Sequence, residues 1–427
     1  MTDYLPQPSR RAFPNPLRNL HEAAGAEFQA YDQIEIVSTF GEPQAEYAAI
    51  RKGCALMDEP QRGILELTGK DRLSFLNNLV TNQTWDKDRK TGLEPGTGVN
   101  AYFLNLKGRI VADLNVIEID HGDRTAIETD VRLVEPLRDV FDKYLFGERV
   151  KLIPGVGGLH RLSLHGPGAA EVLREAAGVD AASLPPLGSK TFRLAGSDAL
   201  VFRDDVTGSP GLHLVVETDR AADVWGHLIR QFGETPQTGR RRRVWPAGWA
   251  AFNACRIEAG RPLFGIDFEG VPAATAYPAR KQRDEEAAES AAPGVLPAET
   301  GRLGHAVSFT KGCYLGQEIV ARMHARGQVA KQIVGLRIDG DALPVAGAPV
   351  TDEQSNAVGV VTSSTVSPVL SNQAICLATV RKPWMKPGTA LRVPAEGSLR
   401  VATVVELPFI PSGQNPPAAG QAAGSGV

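Results

Sequence analysis

The densest chemistry in the chain lies in the run Lys311-Gly312-Cys313-Tyr314-Leu315-Gly316-Gln317-Glu318. A cysteine attacks electrophiles or binds metal as its thiolate, so the question is whether its surroundings favour the anion. Downstream, Ile319, Val320 and Met323 recur at the spacing of a helical face. That spacing predicts a helix start just after Cys313, where unpaired N–H groups and the macrodipole favour negative charge. Lys311 adds positive charge two residues away, and both effects are expected to lower the thiol pKa. Cys313 and Lys311 are therefore the candidate catalytic pair. Gly312 leaves the backbone open to close approach by a ligand. The competing reading is a buried cysteine packed as a small hydrophobe.

Asp113 is the second candidate. The segments 101–105 and 110–119, joined through Leu106-Lys107-Gly108-Arg109, read as a hairpin. Aspartate is depleted in strands, so an acid in mid-strand wants a reason; a solvent-facing strand edge is the simplest one. Arg256 and Glu258 flank Ile257, and their plain reading is an ion pair tying parts of the molecule together.

Other chemistries leave little trace. Gly155-Val156-Gly157-Gly158-Leu159-His160 misses the last glycine of a dinucleotide loop, and there is no phosphate-binding lysine loop, H-E-x-x-H or G-x-S-x-G. The four cysteines are scattered and form no C-x-x-C pair, which argues against a disulfide framework or a stable metal site and suits a reducing compartment. A formal charge of -3 gives no footprint for nucleic acid, and the run Arg240 to Arg243 reads as a solvated loop. No stretch reaches the ~18 apolar residues of a membrane helix. With no basic-then-apolar leader, the expected location is the cytoplasm, an organellar matrix being the alternative.

The elements that must position these residues follow a repeat. Leu65, Leu67, Gly69 and Leu76 match Leu162, Leu164, Gly166 and Leu173 at one constant offset, each set running from a strand through glycine into a helix. Similar strands and a closing helix follow each copy, which predicts two duplicated α+β lobes, about 24–155 and 156–326, with a cleft between them. Beyond 327 the short β-branched runs predict a small β-barrel to about residue 410. Residues 1–23 read as a mobile arm and 411–427 as a disordered tail. Residues 271–296 read as an exposed, charged insertion, with a lid over the cleft as the alternative.

The octet resembles the K-G-C-x-x-G-Q-E signature of the YgfZ family, folate-binding-type proteins linked to iron–sulfur cluster assembly and repair and related to the glycine-cleavage T-protein, an aminomethyltransferase. Lys311, Gly312, Cys313, Gly316, Gln317 and Glu318 occupy every fixed position. The resemblance implies a T-protein-like α+β fold, two lobes around a folate-type cleft, with a C-terminal β-barrel. It implies tetrahydrofolate or another reduced folate as cofactor, with Asp113, Thr129 and Arg256 at positions matching folate contacts. The T-protein's T-G-E-x-G pattern stands here as Thr207-Gly208-Ser209-Pro210-Gly211, and Phe252 replaces an arginine, so the carboxylate expected for the pterin is missing. The implied function is a folate-linked accessory factor for iron–sulfur client or assembly proteins, including tRNA-modifying radical enzymes, touching a cluster only transiently through Cys313. The alternatives are a tetrahydrofolate-dependent aminomethyl- or methyl-transferase and a non-catalytic scaffold.

Overall fold

The computed structural model describes residues 13–233, 242–276, 294–327 and 329–411. The duplication is visible in the strand orders. One antiparallel sheet contains Arg62–Thr68, Arg124–Asp130, Ile110–Glu118 and Gly98–Leu104 in that spatial order, with Lys151–Pro154 added beside Arg62–Thr68. The other runs Leu159–His165, Gly211–Glu217, Ser197–Arg203 and Ser189–Leu194, the same first-fourth-third-second order of its own strands. Each copy places a helix after its first strand and another after its last: Arg72–Leu79 and Val134–Asp142, then Ala169–Ala177 and Ala221–Phe232.

Strand alternation decides what each face carries. In the first sheet Leu65, Leu67, Leu114, Val116 and Ile127 pack with Phe75, Leu76, Leu137 and Phe141 of the two helices. The opposite face presents Ile64, Ile117 and Ala126, which meet Leu200, Phe202 and Val215 of the second sheet. Two residues further along the same strands that face turns polar, through Arg62, Asn115 and Glu128. Asp113 follows, two residues beyond Asn115 and lining the same cleft as Arg161. The sheets therefore join through an apolar seam at one end and open into a charged cleft at the other.

The lobes are interleaved in sequence, which corrects the expected division at 155/156. Cys54–Asp58 pairs with Leu159–His165 and with Val244–Pro246, so it belongs to the second sheet. It is buried along its whole length, as a strand covered on both faces must be. Residues 294–327, assigned from sequence to the second lobe, pack instead on the first: Tyr314 and Val320 join Tyr102, Leu104 and Ile110.

The N-terminal arm is shorter than expected. Leu17 and His21 in and beside the helix Arg18–Ala23 are fully buried, and His21 Nε2 and Asn15 Nδ2 both reach Asp58 Oδ2, at 2.9 and 2.7 Å. Residues 1–12 and 412–427 lie outside the described residues, as does most of the expected insertion. Its described ends are anchored: Val271 N donates to Ile110 O and Ile110 N donates to Val295 O, each at 2.8 Å. Val271 and Ala276 are buried in the first-lobe core, so the expected exposure does not extend to this end of the insertion, and residues 277–293 lie outside the described residues. Lys331–Ile338, Gln373–Arg381, Ala357–Ser367, Pro349–Thr351, Ala390–Ala395 and Ser398–Val405 close into a six-stranded barrel, as the short β-branched runs predict. No helix among the described residues is long and apolar enough to cross a membrane.

Candidate functional site

The cleft opens to solvent and is lined by residues of both lobes, among them Asn100, Asp113, Glu128, Arg161 and Asp204. Its floor is a chain of paired charges. Arg161 contacts Glu59, Glu128 and His213, while Arg62 Nη2 donates to Glu128 Oε2 at 2.8 Å. Asn115 Nδ2 adds a third donor to Glu128, at 2.9 Å. Burial alone would raise the Glu128 carboxyl, but the Arg161 and Arg62 guanidiniums outweigh it and hold it below the usual range. Glu59 is held down against the same burial penalty by Arg161 and His213. Burial and neighbouring His213 push His165 down to about 3, so its ring is neutral at physiological pH.

Asp113 is the one position not fully buried in the strand Ile110–Glu118. That strand is flanked on both sides, so the edge reading fails; Asp113 looks into the cleft. Asn100 Nδ2 donates to its Oδ1 at 2.9 Å and Arg302 Nη1 to its Oδ2 at 3.3 Å. Arg302 Nη2 also donates to Asn100 Oδ1, at 3.2 Å. Arg261 stands in the same cleft and donates to Asp204 Oδ1 at 3.0 Å. Tyr31, Trp249 and Phe252 pack ring to ring and, with Phe264, supply the aromatic part of the cleft lining.

Two other sequence candidates lie elsewhere. Thr129 is fully buried and donates to Asp113 O at 2.9 Å, so it joins two strands and does not line the cleft. Arg256 is also fully buried; it pairs with Asp267 and donates to Asn253 Oδ1 at 2.9 Å and Arg261 O at 3.2 Å. Asp267 accepts from Thr362 and Ser363 of the barrel, both at 2.6 Å. Arg256 thus ties the helix Trp249–Glu258 to the barrel rather than reaching a ligand. Its neighbour Glu258 takes different partners, Arg51, Tyr47 and Ser367, so the expected Arg256–Glu258 pair does not form. Ser209, at the position of the missing carboxylate, is buried beside Arg51, and Phe252 has joined the aromatic lining.

The octet packs on the tip of the hairpin that carries Asp113. Gly316 has φ +78°, and a Cβ there would lie 2.5 Å from Asn105 O; at Gly108, with φ +70°, a Cβ would lie 2.9 Å from Ile319 Cβ. Only glycine allows both turns and this approach. The helix begins at Gln317, with Gly316 as its N-cap, so Cys313 precedes it by a full turn. Cys313 is exposed, whereas Cys54, Cys255 and Cys376 are buried, which overturns the core-thiol reading. The expected help from Lys311 is not there. Its Nζ donates to Asn77 O, Val80 O and Asn82 O at 2.7, 2.6 and 2.9 Å, which uses all three ammonium protons at the end of the helix Arg72–Leu79. Burial and nearby Lys87 push the Lys311 ammonium down to about 7, while the three carbonyl acceptors favour its charged form. Lys311 is an anchor, not a catalytic partner. Glu318 pairs with Arg322 at 2.7 Å on the exposed helix face, Gln317 is half-buried, and Gly312 sits near Lys87.

Glu59, His165 and His213 bring ligand atoms within 4.8 Å of one another. The Arg161 guanidinium touches both Glu59 and His213, so a cation there would face a fixed positive charge. That donor set does not suit a metal. Among the described residues no other such group of metal-ligating side chains occurs. Of the run Arg240 to Arg243, the first two lie outside the described residues; Arg243 pairs with Glu175 at 2.8 Å and Arg242 lies over Trp245. Sequence reasoning missed Arg302, Arg261, Arg161 and Glu128. Glu128 was within reach, because it is a mid-strand acid like Asp113. Arg161 is also a mid-strand charge, whereas Arg261 and Arg302 sit beyond turns, where no period marks them.

Comparison with known proteins extends over nearly the whole chain. Residues 17–275 match the family described as GCVT N-terminal domain, and residues 331–410 the glycine cleavage T-protein C-terminal barrel domain. An aminomethyltransferase of Halothermothrix orenii is 25% identical over 395 residues, covering 92% of this chain and 99% of the relative. One from Moorella thermoacetica is 27% identical over 394 residues, covering 92% and 96%. The solved aminomethyltransferase T of the Bartonella henselae glycine cleavage system superposes with a TM-score of 0.76 at 22% identity, covering 93% of this chain and 98% of that one, a likeness of fold.

Proposed function

Because the chain belongs to the glycine cleavage T-protein family, we propose that its cleft binds a reduced folate and serves one-carbon transfer, with Asp113 beside the reacting unit. The observation that carries this reading is Asp113 itself, the single partly exposed position of a buried central strand, aimed into the space between the lobes. The residues fit a flat heterocycle: Tyr31, Trp249, Phe252 and Phe264 offer ring faces and edges. A bound folate would supply the one-carbon carrier. This chain's residues would hold it: the aromatic lining orients the ring, Asn100 and Arg302 fix the Asp113 carboxylate, and the apolar seam closes the far end to water. Loss of the pterin carboxylate at Ser209 implies modest affinity, in the range of tens of micromolar, or about -6 kcal/mol. The test is turnover with tetrahydrofolate and aminomethyl or N-methyl donors, read as one-carbon folates by mass spectrometry. Product formation that disappears in Asp113→Asn supports the reading; no product from any donor argues against it.

A second reading, the folate-linked accessory factor for iron–sulfur proteins, is favoured by one observation, the exposure of Cys313 on a loop held rigid by its neighbours. Three anchors, Lys311, Tyr314 and Gly316, present a single thiol. In cells lacking the native protein, Cys313→Ser is expected to fold yet fail to restore iron–sulfur enzyme activity. Full restoration removes this reading and leaves the first untouched.

A further inference from the structure

We infer that Arg261 and Arg302 form a carboxylate-binding subsite at the mouth of the cleft beside Asp113. The inference rests on the reading of the cleft as the ligand site and names a group that the ligand must carry. Arg302 is only 9% exposed, yet its Nε–H has no partner; the Nε–H of Arg261, buried in the same cleft, has none either. Arg161 Nε on the cleft floor lacks a partner as well, but its guanidinium lies between two chain carboxylates; at Arg261 and Arg302 the free donors point to a ligand that completes them.

The contacts these arginines do make are loose. Arg302 reaches Asp113 at 3.3 Å and Asn100 at 3.2 Å, and Arg261 reaches Asp204 at 3.0 Å. Charge-assisted pairs in full engagement run ~2.7–2.9 Å and are often two-pronged. Neither guanidinium uses its fork on a carboxylate of the chain. Burial and neighbouring Arg302 push the Arg261 guanidinium down, and His305 beside them is pushed down by burial and by both arginines. An anion between them relieves that repulsion, and the planar fork of guanidinium matches a carboxylate better than it matches a spherical ion. On the floor Arg161 Nε also lacks a hydrogen-bond partner, but its guanidinium is held between the Glu59 and Glu128 carboxylates, and Arg62 is paired with Glu128, so chain carboxylates already occupy the place a ligand's would take.

One carboxylate could come from two sources: the glutamate tail of a reduced folate, or a small amino-acid donor such as N-methylglycine lying beside Asp113. Calorimetric titrations with two matched pairs separate them, tetrahydrofolate against its diamide and N-methylglycine against N-methylglycinamide. The protein is expected to bind the acid of at least one pair about tenfold more tightly than its amide. Arg261→Gln is expected to abolish that preference while leaving the melting temperature and the weaker amide binding unchanged. Should Arg261→Gln not fold, Arg261→Lys keeps the charge and loses the fork, and carries the same test. Equal affinity for acid and amide in both pairs, or a preference that survives Arg261→Gln, overturns the subsite. A folate that binds without acid preference leaves the folate reading standing. An Arg261-dependent preference for N-methylglycine without any folate binding leaves only the subsite.

Discussion

Cys313 is exposed while burial pushes the Cys54 thiol up to about 12 and raises Cys255 and Cys376 further. Iodoacetamide near neutral pH is therefore expected to add one equivalent to the native protein, at Cys313; rapid labelling of a second cysteine would contradict the packing. Lys311 behaves differently from its sequence reading, since its three donors close the end of a helix. Lys311→Ala leaves three carbonyls without a donor and is expected to cost about 3 kcal/mol of stability, seen as a lowered denaturation midpoint with Cys313 still labelled. A variant as stable as the parent would mean that those contacts contribute nothing. At this scale the sequence showed residue types but not partners. Cys313 and Asp113 were legible from motif and from strand position. Arg256 was misassigned because its burial against Asp267 depends on a barrel a hundred residues away.

The hairpin 98–118 and the octet are one unit, joined where Gly108 meets Ile319 and Gly316 meets Asn105. Gly316→Ala places a Cβ both at positive φ and against a backbone oxygen, and is expected to destabilise by about 1–3 kcal/mol. Thermal melting of that variant checks it, and an unchanged midpoint would show that the loop yields freely. The repeat and the barrel could be read from the sequence because strands and helices keep their own periods. The exchange of Cys54–Asp58 into the second sheet could not, since a run buried on both faces carries no alternation to reveal its neighbours.

For the whole molecule, the cleft floor makes stability depend on acid. His165 is held neutral, with its pKa pushed down to about 3, and Glu59 and Glu128 are held below the usual carboxylate range. In each case the unfolded chain binds more protons than the folded one as pH falls, so stability rises with pH. The His165 contribution is complete above about 6.5 and fades towards about 3. That of the two glutamates is complete above about 4.5 and is lost as pH falls through their folded values. Melting temperatures across pH 7 to 4 are expected to fall steadily, less steeply in His165→Phe; a flat profile would contradict the buried network. The fold is what the two lobes share with the T-protein family, and a ligand between them is the central claim. The most direct measurement is a calorimetric titration with tetrahydrofolate of the parent protein and of Asp113→Asn. Saturable binding in the range of tens of micromolar, weakened about tenfold in Asp113→Asn at an unchanged melting temperature, is the expected result. No heat up to millimolar tetrahydrofolate, or equal affinity in both proteins, would contradict it.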